Sequence, residues 1–174
     1  MIFLFATQVS SGIAEETIVR QYAGSDYGDI QFNVPVSWKD EVSKSNKSAS
    51  PTIVFTRKQG ARFKVLITLL PPINKDILKP EIMRQKVQSA ADSIKSQAVE
   101  NELKLTEIRG NSGLGYSFTA TDRAPKPGEY KIMTQGMIQV GEKVLAFTIL
   151  TNAGQQNIIN SAIAMLKTAK WIPK

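Results

Sequence analysis

Two serines, two carboxylate pairs and one glycine-rich segment are the residues whose types could carry chemistry, and each lacks the partners that chemistry needs. Ser112 and Ser117 would need a base beside them to act as nucleophiles, and the 174-residue chain contains no histidine and no cysteine. Histidine is the commonest general base, and its absence removes the usual activation of a hydroxyl. The absence of cysteine removes disulfides, thiol nucleophiles, thiolate metal sites and cysteine-linked lipid anchors. A Ser–Lys pair cannot be inferred from spacing. Asp26 with Asp29, or Asp122 with Glu129, could supply oxygen ligands for Ca²⁺ or a carboxylate pair for acid–base work. Neither pair follows the spacing of an EF-hand loop, and Asp122-Arg123 reads as a solvated loop. Gly110-Asn111-Ser112-Gly113-Leu114-Gly115 is neither G-x-G-x-x-G nor a P-loop, and no helical pattern follows it, so it reads as a turn between strands. The sequence implies no catalytic residue, no cofactor and no metal ion.

Charge points to a surface instead. The formal net charge is +7, and it is unevenly spread. Residues 1–35 sum to −3, residues 36–64 to +5, residues 65–142 to +1, and the chain after Glu142 adds four lysines and no acid. Arg57, Lys58, Arg62 and Lys64 straddle a turn at Gly60 beside the Lys- and Ser-rich segment Lys44–Ser50. They form the candidate surface for an anionic partner, expected to be another protein or an anionic surface. No aromatic interleaving or nucleic-acid motif accompanies these cations, so nucleic acid is not expected. The plainer reading of the same charges is solubility.

The first fourteen residues, MIFLFATQVSSGIA, hold an apolar run and end Gly12-Ile13-Ala14 before Glu15-Glu16. Small residues at −3 and −1 suit a signal peptidase, so residues 1–14 read as a signal peptide cut after Ala14. The run Ile2–Ala6 is short and no basic residue precedes it, as in a signal peptide whose start lies upstream. The expected location is periplasmic or secreted, with a cytoplasmic protein carrying an N-terminal strand as the alternative. Val144–Leu166 has no charged residue over twenty-three positions, but Thr151, Asn152, Gly154, Gln155, Gln156, Asn157 and Asn160 interrupt it. It reads as strand, turn and helix, and no transmembrane segment is expected.

The elements that would position these residues follow from periodicity. Asp29–Val34 alternates polar and apolar and is stopped by Pro35. Residues 39–51 lack periodicity and read as an exposed, mobile loop. Thr52–Arg57 and Phe63–Leu70, joined through Lys58-Gln59-Gly60-Ala61, predict a hairpin, with Pro71-Pro72 as its stop. Pro80 at a first turn with Glu81 beside it opens a helix whose stripe is Met83, Val87, Ala90, Ala91, Ile94 and Ala98. Strands are predicted at 103–109, 114–121, 130–140 and 143–151. A two-residue turn at Gly141-Glu142 sets Ile138 against Leu145, Gly136 against Phe147 and Thr134 against Ile149. The same register sets Met137 against Ala146 and Met133 against Leu150. A last helix at about 155–167 buries Ile158, Ile159, Ala162, Ile163, Leu166 and Ala169 and turns a polar, almost uncharged face outward. The sum is one α+β domain over residues 15–174, an antiparallel sheet of about six to seven strands packed between helices as an α/β/α sandwich.

This order resembles the PsbP, DcrB and Mog-type fold group. The likeness is carried by Phe32-Asn33-Val34-Pro35-Val36-Ser37-Trp38, by the Gly-turn hairpin with its amphipathic helix, and by Lys170-Trp171-Ile172. It spans the chain after Tyr27. The resemblance implies an assembly, adaptor or binding module in place of an enzyme, and transfers no functional residue. Trp38 reads as an apolar anchor closing one end of the sheet. The expected function is therefore a non-enzymatic, exported binding or assembly-accessory protein. The alternatives are a carboxylate-dependent hydrolase or lyase using Asp122 and Glu129, and an intracellular adaptor for an acidic protein.

Overall fold

The computed structural model of the protein describes residues 15–24, 28–43, 51–71 and 75–173. Asp26, the proposed signal peptide and the Lys44–Ser50 segment lie outside them. Ten strands and two α-helices are formed by the described residues, in two antiparallel sheets. The small sheet has the order β1-β2-β10, from Thr17–Ala23, Asp29–Pro35 and Lys170–Ile172. The large sheet has seven strands in the order β3-β4-β5-β9-β8-β7-β6. These are Trp38–Ser43 (β3), Thr52–Arg57 (β4), Lys64–Leu69 (β5), Thr106–Gly110 (β6), Gly113–Thr121 (β7), Ile132–Val140 (β8) and Lys143–Thr151 (β9). The helices are α1 (Pro80–Ile94) and α2 (Gln156–Lys167).

The β8–β9 hairpin has the register expected from its turn: Ile138 pairs with Leu145, Gly136 with Phe147, Thr134 with Ile149, Met137 with Ala146 and Met133 with Leu150. Gly141 adopts φ +61°, the left-handed conformation that a tight hairpin turn requires. Helix α1 starts on Pro80 and buries Met83, Val87 and Ala91, three members of the expected stripe. The alanines of the stripe, Ala90 and Ala91, let the helix lie close on β7 and β8, where Phe118 and Ala120 are buried beneath it.

Three expectations need correction. Residues 39–51 do not form one loop, because Trp38–Ser43 pairs with β4 from Trp38↔Arg57 to Ser43↔Thr52. Lys39, Asp40 and Glu41 are tolerated there because an edge strand keeps one side in water, and Asp40 forms an ion pair with Arg20 of β1. The strand at Asp29–Pro35 belongs to a separate small sheet, with β1, which periodicity did not reveal, as its neighbour. Finally, helices are only part of what covers the large sheet. One face is covered jointly by α2 and the small sheet, whose Tyr22, Ile30, Phe32 and Val34 enter the same core as Phe55, Val65, Ile67 and Phe147. On the other face α1 lies over β7 and β8, while Val54, Leu66 and Thr148 nearer β3 are only half-buried.

Where the small sheet meets the large one, aromatic rings make the joint. Tyr22 stands edge-on to Phe55 at 5.8 Å and Phe32 to Phe55 at 6.3 Å, and beside them on the large-sheet side Trp38 lies 4.7 Å from Phe63. Tyr22 is buried and its hydroxyl has no hydrogen-bond partner. Burial pushes its pKa up to about 12, against a smaller opposing pull from Arg20. The folded tyrosine therefore keeps a proton that the unfolded one loses above about pH 10. Stability is intact below that pH and should fall by about 2–3 kcal/mol as pH rises through 12. Urea unfolding between pH 9 and 12 checks this, and Tyr22→Phe should remove that part of the decline. An equal decline in the variant would assign it to other groups.

Candidate functional site

On the α1 side of the large sheet lies a groove of about 480 Å³. Its floor is apolar: Ile94 and Ala98 from the end of α1 and the turn after it, Ala120 of β7, Met133 of β8 and Leu150 of β9. The rim is charged, with Arg62, Asp122, Glu129 and Lys131 around Tyr130. Sheet register explains the floor, because Ala120 pairs with Met133 and Met133 with Leu150, so their side chains fall in one cross-strand row.

The rim is held by bonds between distant segments. Asp122 N–H donates to the Lys131 carbonyl at 2.8 Å, Arg123 N–H to Gln97 at 3.0 Å, and the Arg123 guanidinium to the Ala98 carbonyl at 2.8 Å. The Arg62 guanidinium sits 4.5 Å from the centre of the Tyr130 ring, and its Nε donates to the Tyr130 hydroxyl at 3.0 Å. Gln155 donates to the Arg62 carbonyl at 3.2 Å, which fixes the backbone beneath it. A cation stacked on an aromatic face keeps its charge while losing freedom, which suits it to an anionic group arriving at an apolar surface.

The four cations singled out from sequence do not share one environment. Arg62 lies on the groove rim, and Lys64 pairs with Leu150 of the floor. Arg57 pairs with Trp38, and Lys58 Nζ donates to the Val36 carbonyl at 2.9 Å. Asp122 and Glu129 both reach the groove, yet each already accepts a backbone N–H of its own loop at 2.9 Å, from Ala124 and Lys126 respectively. Glu129 is exposed. Asp29, the described member of the other pair, accepts from Gln21 at 2.8 Å within the small sheet. Among the described residues no three carboxylates gather as metal ligands would. The glycine-rich segment is the β6–β7 turn, with Gly110 paired to Gly113. Tyr130 escaped notice because it follows Arg62 by 68 residues and only pairing of β9 with both β5 and β8 brings them together.

Trp38 is fully buried, packed on Phe55 and Phe63, in the anchoring position expected of it. No helix of the described residues is long and apolar enough to cross a membrane.

No protein-family model and no curated protein matches the chain. Several solved structures are similar to it. A Bacteroides thetaiotaomicron protein superposes with TM-score 0.57 at 12% identity over 93% of this chain, which spans only half of that protein. LpqN of Mycobacterium tuberculosis, described as involved in cell envelope biogenesis, gives TM-score 0.52 at 12% identity, covering 91% of this chain and 93% of its own. Cyanobacterial PsbP (CyanoP) from Synechocystis gives TM-score 0.50 at 13% identity, covering 94% and 96%. At such identities the likeness concerns architecture alone, and the architecture of this chain is similar to that of PsbP and LpqN, consistent with a PsbP/DcrB-like fold.

Proposed function

We propose that the protein is an exported, non-enzymatic binding or assembly-accessory module that holds a partner in the groove beneath Arg62. The observation that carries this reading is a pre-formed apolar floor with a guanidinium already stacked at its edge, 4.5 Å above Tyr130. Such a site favours an apolar group flanked by an acid, as on an acidic protein segment. Binding of this kind needs no general base, in keeping with a chain lacking histidine and cysteine. The carboxylate-based enzyme is the weaker reading, because Asp122 and Glu129 are engaged by their own loops. Export is supported by the cleavage-like Gly12-Ile13-Ala14, and the envelope role described for LpqN is in line with it.

Capture of partners from the native host, by wild type and by Arg62→Gln, tests the groove. Wild type should retain a partner at low salt and lose it as salt rises, since exposed charges are screened over about 8 Å at physiological ionic strength. Arg62→Gln should lose it at all salt concentrations with little change in melting temperature. Replacing Arg57, Lys58, Arg62 and Lys64 together with Gln should do no more than the single change if the groove is the site. Capture that survives all four substitutions would reduce these cations to solubility. Mass spectrometry of the mature chain tests export: a start well before Glu15 would remove the cleavage site.

A further inference from the structure

A second groove lies on the opposite face of the large sheet, between α2 and the strands β6, β7 and β8, with a volume of about 410 Å³. Its sheet side presents hydroxyls from Thr106, Ser117, Thr119 and Thr134, and its helix side presents the carboxamides of Gln156 and Asn160. The register brings the hydroxyls together, since Thr106 pairs with Ser117 and Thr119 with Thr134. The carboxamides recur one helical turn apart on the uncharged face of α2, the face whose composition is unusual for a surface helix. Ile159, Ile163 and Ala164 add apolar contact, and Lys167 at one end is the single charged residue of the lining.

We propose that this groove binds a neutral, polyhydroxylated ligand, a glycan. Hydroxyls and carboxamides each both donate and accept, so they match a ligand that does the same. An anion would call for clustered cations and a cation for clustered carboxylates, and the lining has Lys167 as its one charged residue. Two pairs are hydrogen-bonded to one another, the Thr119 and Thr134 hydroxyls at 2.8 Å and Gln156 Nε2 to Asn160 Oδ1 at 3.1 Å, and each pair keeps further donors and acceptors to offer a ligand. Neighbouring hydroxyls on a sugar ring are also separated by about one hydrogen-bond length, so each pair can receive a vicinal diol. Ser117 is 4% exposed and Thr134 2% exposed. Hydroxyls placed this deep disfavour an apolar occupant, which would strip them of water without replacing its bonds. A peptide is the lesser fit. Peptides that add to a sheet pair along the outer side of an edge strand, here β6, whereas this groove lies over the face of β6, β7 and β8 beneath α2.

The inference is independent of the Arg62 groove. The test is titration of the ¹⁵N-labelled full chain with neutral oligosaccharides of gluco, galacto, manno and N-acetylated configuration, followed by amide chemical shifts. At least one should give saturable millimolar shifts confined to the neighbourhood of Ser117, Thr134, Gln156 and Asn160. Ser117→Ala and, separately, the exposed Asn160→Leu should weaken that binding roughly tenfold, as expected for loss of one or two hydrogen bonds. Arg62→Gln should leave it unchanged. The Asn160 variant keeps the test decisive if Ser117→Ala perturbs folding. The proposal is overturned if no member of the panel shifts these amides. It is equally overturned if the two variants bind as wild type does, or if an uncharged Ser/Thr-rich peptide binds there more tightly than every sugar.

Discussion

Phe147→Ala is expected to lower the free energy of unfolding by about 3–5 kcal/mol, the cost of emptying a buried aromatic site. The ring lies on β9 near the middle of the large sheet and is 2% exposed. Its partner across the β8–β9 ladder is Gly136. A Cβ on Gly136 would stand 2.7 Å from the tip of the Phe147 ring, so the missing side chain is what admits the aromatic. This pairing makes the loss severe, because a glycine offers nothing that could relax into the space the ring leaves. Gly136→Ala cannot refill it, since the new methyl would also clash with the Tyr116 carbonyl oxygen. Urea unfolding with an unchanged m-value is the measurement. A loss below about 1 kcal/mol would mean that the ring is not buried against Gly136.

Trp38 should give an unusual pair of results. Trp38→Ala removes a fully buried indole packed 4.7 Å from Phe63 and 6.3 Å from Phe55, and should cost about 3–5 kcal/mol. Trp38→Phe also loses volume, but it discards a liability. The indole Nε1 is buried without a hydrogen-bond partner, a condition that costs about 1–3 kcal/mol. The two effects oppose one another, so Trp38→Phe should stay within about 1.5 kcal/mol of wild type. Thermal and chemical melts of the two variants decide the matter. A Phe variant as unstable as the Ala variant would show that the N–H group is satisfied in solution.

Both predictions began in sequence patterns of short range. The β8–β9 register was legible because Gly141-Glu142 leaves two residues for a turn, and a two-residue turn sets every pair beyond it. The apolar stripe of α1 was legible because Met83, Val87 and Ala91 return at the helical period. Strand β1 was not, because in Thr17–Ala23 only Tyr22 is buried and no alternation results. Strand β3 was hidden for a similar reason: after Trp38 its residues are charged or exposed, and pairing with β4 holds them in place.

What the sequence determined alone was whatever depends on residue type or on neighbours within a turn or two. That covers the lack of His and Cys chemistry, the helices, the hairpins and the apolar anchor at Trp38. Tertiary structure decided which distant residues meet. Arg62 reaches Tyr130 only because β5 pairs with β9, β9 pairs with β8, and Tyr130 leads into β8. Ser117 and Asn160 line one groove only because α2 folds back across β7. The division of the strands into two sheets has the same origin. A local pattern states that a strand has an apolar face, while the surface that face covers depends on the volume left by every other element.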